Sequence, residues 1–376
     1  MKRPNRKYLT IILIQELKII GIFGWVFLVY SCAEAQKPES QNLYFPPNES
    51  SAWESQTAGE LGWDGMKLAE LLAWLPTQDT RAFIILKDGK IVVEEYWGDK
   101  LTGLGEMDQD SFWYWASAGK TLTASLVGIA QENGLLNILD RTQDYLGEGW
   151  TSLSSAQERE IKLIHQLTMT TGLNDQNTDL DNTNPSSLTY MANPGERWSY
   201  HNGPYTLLEQ VVAKAANKSY QSYFEDALGE KIGMKGFWQK SGFNNVFFSD
   251  ARSFARFGLL LQAKGNWNGE KIWSTKYFDA LSESATDINR AYGYLTWLNG
   301  KSSYMLPQNQ TVFPGMLIPQ APADMYQAMG KNGQFLIVVP SEGLVIIRMG
   351  GSSDNLPVPF LLIREIWDRL SPVLLN

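Results

Sequence analysis

The sequence predicts an α+β fold, in which one antiparallel sheet is formed by both chain ends, flanked by helices, with a mostly helical insertion. Two hairpin patterns indicate this, one near each end of the folded part. In the first, apolar runs flank Asp88-Gly89, a pair that favours a tight β-turn. In the second, apolar runs flank Pro340-Ser341-Glu342-Gly343. Because the sheet exists only if the two ends pair, we expect one cooperative domain with two lobes.

The other elements follow from local patterns. Residues 61–75 are predicted to form an amphipathic helix, 326–329 a further strand, and 360–370 a closing helix. The helical lobe is predicted at about 121–265, within a domain that covers 59–376. A cleft between the two lobes would be the default binding site. Its lining is expected from loops such as 175–185 and 286–305.

Composition excludes several classes of protein. The chain has 376 residues, of which 44% are hydrophobic and 12% aromatic, so disordered and low-complexity classes are excluded. Its net charge is −8 with no basic block, which argues against nucleic-acid binding. One cysteine and two histidines, His165 and His201, cannot form an internal disulfide or an ordinary structural zinc site. We therefore predict no metal site.

The first 35 residues read as an export leader. Lys2, Arg3, Arg6 and Lys7 precede a broken apolar stretch whose cleanest run is 19–30. Three interpretations remain open: cleavage after Ala33-Glu34-Ala35, lipidation at Cys32 in a lipobox-like Val29-Tyr30-Ser31-Cys32, or an uncleaved anchor. All three predict an exported protein, periplasmic or in the cell envelope; lipidation or an anchor would attach it to a membrane through the N-terminus only. Residues 36–58 are polar and read as a linker or a loosely packed arm.

Ser117 and Lys120 are the first candidates for chemistry. They lie three residues apart at the start of a predicted helix that ends near Asn133-Gly134, so their side chains share one face. A serine hydroxyl needs a base within hydrogen-bond reach, and a lysine serves only if its pKa is lowered. The backbone N–H of Ser117 would be a free donor of the first turn. The alternative interpretation is a capping serine beside a solvated lysine.

A second candidate set lies in the turn-rich stretch 194–205, before a helix predicted over 206–216. Tyr200 and Asn202 alternate, so in an extended loop they point the same way, while His201 points away. A phenol near an ammonium can be held partly as phenolate and move protons. An amide two residues later can bond both a lysine and a substrate carbonyl. The alternative is a buried Tyr and Asn that only fix the loop.

In this order, the motifs resemble those of the serine β-lactamase-like hydrolases. Ser117-x-x-Lys120 is followed by Tyr200-x-Asn202 and by a Gly-rich strand pair near the C-terminus, and 164–173 and 255–258 resemble linking segments of that superfamily. It includes class C β-lactamases, DD-peptidases, family VIII-type esterases and 6-aminohexanoate-dimer hydrolases. The resemblance covers about residues 60 to 370.

The resemblance implies a role for each matching residue. Ser117 would be the acylated nucleophile, Lys120 and Tyr200 would share the general base and acid roles, and Asn202 would position Lys120 and the substrate. The third motif departs from the family's K-T-G. In the preferred register its glycine is Gly330 and the second oxyanion N–H comes from Lys331; the alternative register, Lys331-Asn332-Gly333, would use Gln334. The preferred register lacks the cation and hydroxyl that family β-lactamases direct at the substrate carboxylate.

The sequence therefore predicts a serine hydrolase that cleaves a small-molecule amide or ester through an acyl-enzyme and needs no cofactor. The alternatives are a DD-peptidase or β-lactamase, or a non-catalytic module that binds an envelope ligand on the same fold. No G-x-S-x-G motif occurs, which argues against an α/β-hydrolase with His201 as its base. His165 is interpreted as a packing residue. The aromatic run 113–115 either shapes an apolar acyl pocket or belongs to the core.

Overall fold

A computed structural model describes residues 43–176, 179–352 and 358–374 of the chain. The predicted leader, with Cys32, and the first part of the predicted linker lie outside the described residues, so export and lipidation stay predictions. In the described ranges, no helix combines the length and the apolar character needed to cross a membrane.

Short helices and strands alternate along the described chain. The α-helices are α1 (Gly65–Trp74), α2 (Gly119–Glu132), α3 (Gln143–Leu146), α4 (Ser155–Glu158), α5 (Leu163–Leu167), α6 (Asn202–Thr206), α7 (Leu208–Ala216), α8 (Tyr220–Phe224), α9 (Glu230–Ile232), α10 (Ala251–Gln262), α11 (Thr275–Ser282) and α12 (Phe360–Leu374). The strands are β1 (Thr80–Lys87), β2 (Lys90–Tyr96), β3 (Trp113–Tyr114), β4 (Phe237–Ser241), β5 (Asn244–Ser249), β6 (Asn266–Trp267), β7 (Glu270–Lys271), β8 (Trp297–Leu298), β9 (Ser303–Tyr304), β10 (Phe313–Pro314), β11 (Tyr326–Gly330), β12 (Gln334–Val339) and β13 (Leu344–Gly350).

The main sheet joins the two ends of the chain, and the predicted α+β fold is confirmed. Its six strands run antiparallel in the order β2-β1-β13-β12-β11-β8. The junction between the N-terminal and C-terminal parts is the β1–β13 pair, where Ile85 lies opposite Ile346. Every residue of β12 and β13 is buried, and α10 packs on both strands. These two strands therefore read as continuous apolar runs rather than as an alternation.

Both predicted hairpins form with the expected turn chemistry. Asp88 and Gly89 have φ angles of 50° and 86°, as a two-residue hairpin turn with positive φ at both positions requires. The second hairpin turns through Pro340–Glu342 in a 3₁₀ turn and ends at Gly343, whose φ is 59°. Both turns are set by local sequence, which explains why the sequence predicts them.

Two predicted helix starts are wrong. The helix predicted over 61–75 begins only at Gly65, because the Asp64 carboxylate accepts hydrogen bonds from the N–H groups of Met66 and Lys67 and caps it there. The helix predicted over 206–216 is two helices. α6 already begins at Asn202, and the chain bends at Leu207 before α7.

The lobe predicted as helical also contains a small sheet. β4 and β5 form a hairpin, and β3 adds to it in the order β3-β5-β4. The aromatic content of these strands suits a sheet, while their turn contains Gly242 with a φ of 61°. This correction matters for the site, because β3 leads directly to Ser117.

The described part of the predicted linker, residues 43–58, packs on the domain instead of extending as a loose arm. Ser55 forms a parallel bridge with Ile91 of β2, and the Trp53 indole N–H donates to the carbonyl of Gly89 over 2.7 Å. The ring centroids of Phe45 and Trp267 lie 4.9 Å apart. These apolar side chains explain why the segment packs on the domain although its overall composition is polar.

Candidate active site

A strained turn presents Ser117. After β3, Trp115 is fully buried; its ring stacks on Phe254 at 3.9 Å and its indole N–H donates to Ser249 Oγ over 2.7 Å. Residues 116–118 then form a 3₁₀ turn, here called the 116–118 turn, which runs into α2. Ala116 has a φ of 47°, a conformation that costs a non-glycine residue about 1–3 kcal/mol. The buried Trp115 ring fixes the strained turn in place, and Ser117 is half-buried just before α2.

Lys120 is buried beside Ser117, as the spacing predicts. Its Nζ lies 3.0 Å from Ser117 Oγ, and its side chain faces the rings of Tyr205 and Tyr200 at 4.3 and 4.9 Å from their centroids. Burial lowers the pKa of Lys120 to about 7, and the negative charge of Asp181 opposes part of that shift. A substantial fraction of the amine is therefore unprotonated near neutral pH and can accept a proton.

Tyr200 meets this pair from the far loop. Its ring lies 5.8 Å from that of Trp297 and is stacked on it, and its hydroxyl lies near Ser117. Burial raises the pKa of Tyr200 well above its ordinary value, and the Ser117 contact only partly opposes this. Burial therefore opposes the partial phenolate that the sequence analysis considered. The part of Tyr200 in proton transfer stays a prediction.

Asn202 lies on the same side of the site as Tyr200, at the first position of α6. Its Nδ2 donates to Asp181 Oδ1 over 2.6 Å, a partner that the sequence analysis did not identify. Its Oδ1 is buried without a hydrogen-bond partner and is free to accept one. The signal for Asp181 was its position in the predicted pocket loop 175–185, but a loop conformation cannot be derived from such a sequence.

The third motif meets the 116–118 turn at Gly330. A Cβ atom on Gly330 would lie 3.1 Å from the N atom of Ser117, whereas one on Gly333 would meet Arg348 and Leu362. The preferred register therefore agrees with the geometry. Lys331 follows at the cavity wall, while Gln334 is fully buried and its amide bonds backbone carbonyls, including that of Gly350.

Arg348, which the sequence analysis did not single out, fixes the loop after Gly330. It is fully buried on β13 and donates to the carbonyls of Asn332 and Gly333, among others. Burial lowers its pKa to about 9. An arginine inside the apolar run 344–350 was the available signal, because a buried guanidinium must find acceptors.

One open cavity of about 470 Å³ is lined by Ser117, Lys120, Tyr200, Asn202 and Lys331, among others. Its walls come from the 116–118 turn and α2, the loop 179–181, the start of α6, strand β5, and residues 307, 308 and 331. Loop 179–181 belongs to the predicted 175–185 segment, whereas 307 and 308 lie just beyond the predicted 286–305 segment. Its charged groups are Lys120, Lys331, Asp179 and Asp181.

The two histidines stay outside this cavity lining. His165 Nδ1 accepts the backbone N–H of Lys162 over 3.1 Å, which fits the predicted packing role. His201 is buried, and burial lowers its pKa to about 4. Among the residues that the structure describes, no cluster of three His, Cys, Asp or Glu side chains could hold a metal ion.

The structure combines an antiparallel sheet built from both chain ends with a Ser-x-x-Lys pair at the edge of a helical lobe. This combination defines a serine hydrolase of the β-lactamase fold. The chain belongs to the β-lactamase family, whose model matches residues 79–357. The predicted membership of the serine β-lactamase-like superfamily is therefore confirmed, and with it serine hydrolase chemistry in general.

Solved structures share the fold at low sequence identity. A protein named as a 6-aminohexanoate-dimer hydrolase from Bacillus anthracis superposes with a TM-score of 0.64 and 16% identity, over 88% of each chain. A class C β-lactamase from Rhodobacter sphaeroides gives a TM-score of 0.61 and 16% identity, over 83% of this chain and 100% of its own. An uncharacterised protein from Alkalihalophilus pseudofirmus is 24% identical over 78% of this chain and 90% of its own.

Proposed function

We propose that the protein hydrolyses an uncharged ester or amide through an acyl-enzyme formed on Ser117. The observation that carries this proposal is the 3.0 Å contact between Ser117 Oγ and the buried Nζ of Lys120. A buried lysine that makes no carboxylate ion pair within the described residues is costly to keep unless its unprotonated form is used. The contact thus supplies the nucleophile with a base.

The reaction would proceed in two halves. As Ser117 Oγ attacks the carbonyl carbon, its proton passes to the Lys120–Tyr200 pair, without distinction here as to which accepts it first. The carbonyl oxygen becomes an oxyanion that the N–H groups of Ser117 and Lys331 stabilise. The bond to the alcohol or amine then breaks, and Tyr200 returns the proton to that leaving group. In the second half, water replaces the serine by the same proton path and releases the acid.

Asn202 would position the substrate. Because Asp181 fixes the amide through Nδ2, the unpartnered Oδ1 can accept a hydrogen bond from Lys120 or from a substrate N–H. Ala328 and Met329 are buried and offer no cation or hydroxyl at the third motif. This difference favours esters and linear amides over β-lactams as substrates.

The test is a substrate panel of short p-nitrophenyl esters, linear amides and the β-lactam nitrocefin. Wild type should turn over an ester or amide, and Ser117→Ala should lose about 10³-fold or more of that activity. Ser125→Ala is the matched control, because Ser125 lies on α2, the helix that follows Ser117, and its hydroxyl donates to the carbonyl of Thr121. A fluorophosphonate probe should label wild type and not Ser117→Ala. Folded wild-type protein that stays unlabelled and turns over nothing would contradict the proposal.

A β-lactam-recognising enzyme is the second candidate, because Lys331 places a cation at the cavity wall that could meet a carboxylate. Rapid nitrocefin turnover would favour a β-lactamase, and stable labelling by fluorescent penicillin a DD-peptidase. Ligand binding that Ser117→Ala leaves unchanged, with no turnover, would instead favour a binding module.

A further inference from the structure

The outer face of the small sheet β3-β5-β4 carries a row of aromatic rings. Antiparallel partners point to the same side of a sheet, so the pairs Tyr114–Phe248 and Phe237–Phe248 share one face. The rings of Phe237 and Phe248 stack at 5.3 Å, and Phe112 stacks on Phe237 at 5.8 Å. Phe237 is 42% exposed. These four side chains are here called the aromatic shelf.

The shelf is continuous with the candidate active site. Alternation along β5 puts Val246 and Asn244 on the same face as Phe248, and both Val246 and Asn244 line the cavity that holds Ser117. At the other side, the Tyr114 hydroxyl accepts a hydrogen bond from Asn332 Nδ2 over 2.7 Å. Asn332 follows Lys331, so the shelf is tied to both walls of the cavity.

The shelf face carries no charge within the three strands. β4 places Phe237, Gln239 and Ser241 on this side, whereas Trp238 and Lys240 point to the other, where Lys240 binds Glu209. The sequence analysis left open whether the run 113–115 shapes a pocket or fills the core. The structure divides it: Trp113 and Trp115 are buried in the core, and Tyr114 belongs to the shelf.

We propose that the aromatic shelf binds an uncharged, apolar or aromatic arm of the substrate while its carbonyl lies at Ser117. This inference rests on the proposed function and deepens it. Partly exposed aromatic rings that contact one another offer apolar area at little entropic cost, because their packing already fixes their rotamers. A charged or strongly hydrated arm would gain nothing from this face, so the preferred substrates are amphiphilic or aryl esters and amides.

The experiment compares kcat/KM for p-nitrophenyl acetate and p-nitrophenyl decanoate in wild type, Phe237→Ala and Phe237→Tyr. Wild type should prefer the long ester, Phe237→Ala should lower the ratio of long to short by about tenfold, and Phe237→Tyr should keep it. Leu361→Ala is the matched control, because Leu361 is 58% exposed on α12 and lies outside the cavity lining. Activity on both esters should stay unchanged in Leu361→Ala.

The outcomes separate the two proposals. Turnover of the acetate with no preference for the longer chain, or an equal loss on both esters in Phe237→Ala, overturns the shelf and leaves the proposed function intact. Absence of turnover on both esters by wild type overturns the shelf, whereas the proposed function is overturned only if the folded protein also cleaves no linear amide and stays unlabelled by the fluorophosphonate. Size-exclusion chromatography provides a further check: a wild-type dimer that Phe237→Ala dissociates would assign this face to a second copy of the chain and overturn the shelf as a substrate site.

Discussion

Gly330 of β11 lies directly against the backbone of Trp115, so that a Cβ atom at position 330 would lie 2.4 Å from the Trp115 carbonyl oxygen. This contact joins strand β11 of the main sheet to the 116–118 turn. Through it, the C-terminal part of the chain fixes where Ser117 stands relative to Lys331. The positions of the two N–H groups proposed to stabilise the oxyanion therefore depend on the absence of a Cβ atom at position 330.

Gly330→Ala should lower kcat/KM by about tenfold to hundredfold, because the turn must move away from the strand. The φ of Gly330 is −129°, so the effect is steric and not a matter of backbone freedom. Steady-state kinetics and thermal unfolding would measure it. Gly59→Ala is the control, since a Cβ there meets nothing within 4 Å. Unchanged activity in Gly330→Ala would contradict the assignment of this register.

Tyr200→Phe should reduce kcat by about 10²–10⁴-fold, because the phenol that contacts Ser117 is proposed to return the proton to the leaving group. Tyr205→Phe provides the comparison. Tyr205 faces the same amine, but its hydroxyl lies 3.4 Å from Thr123 Oγ1, so its phenylalanine variant keeps the ring contact with Lys120 and should stay within about tenfold of wild type. Equal losses in both variants would argue against a proton-transfer role for Tyr200.

The activity should rise with pH through an acidic limb near 7, because the Lys120–Tyr200 pair can take up the serine proton only when Lys120 is unprotonated, and burial lowers the pKa of Lys120 to about 7. The limb would be read from kcat/KM against pH, which reports the free enzyme. Lys120→Arg should be inactive across the whole range, since a guanidinium stays protonated. A flat profile from pH 5 to 9 in wild type would count against Lys120 as the base.

Asp181→Asn should move this acidic limb to lower pH. The carboxylate of Asp181 favours the protonated amine, so its removal lowers the pKa of Lys120 further. The amide of Asn202 also loses its charged acceptor, so KM should rise. Asp179→Asn is the matched variant, because Asp179 lines the same cavity wall and its carboxylate accepts the Asp181 N–H. An equal shift of the acidic limb in both variants would mean that Asp181 affects the pKa of Lys120 no more than Asp179 does.

Lys120→Met should abolish activity and stabilise the fold, most strongly near neutral pH. The pKa of Lys120 is lowered on folding from 10.5 to about 7, so between these values the unfolded chain binds a proton that the folded chain does not. The free energy of unfolding of wild type therefore rises with pH across this window, by up to about 1.4 kcal/mol per pH unit.

This contribution should be absent from Lys120→Met, so its advantage over wild type should shrink from pH 7 to pH 10. Thermal unfolding at the two pH values would measure the difference. Lys331→Met, which removes an exposed lysine from the same cavity, should follow the wild-type pH dependence. A constant advantage for Lys120→Met at both pH values would mean that the lysine is not destabilised by burial.

Sequence and structure agree where local chemistry decides. The Asp88-Gly89 turn and the Ser117–Lys120 spacing need only neighbouring residues, so both are correctly predicted. The β4–β5 hairpin was missed because its outer edge is exposed and partly polar, and its strand character comes from pairing with β3 across more than a hundred residues. Likewise, Arg348 is recognisable as a loop anchor only once the carbonyls of Asn332 and Gly333 surround it.

By itself, the sequence determined the sheet built from both ends and the serine–lysine pair, since periodicity and turn residues act over a few positions. That the Tyr200–Asn202 pair faces them was implied by the resemblance to the serine β-lactamase-like hydrolases. Only the tertiary structure decided that burial lowers the pKa of the lysine to about 7, that Asp181 holds Asn202, and that Gly330 rather than Gly333 meets the serine turn. Desolvation, ion proximity and steric contact all depend on groups far apart in the chain, and no local pattern encodes those distances.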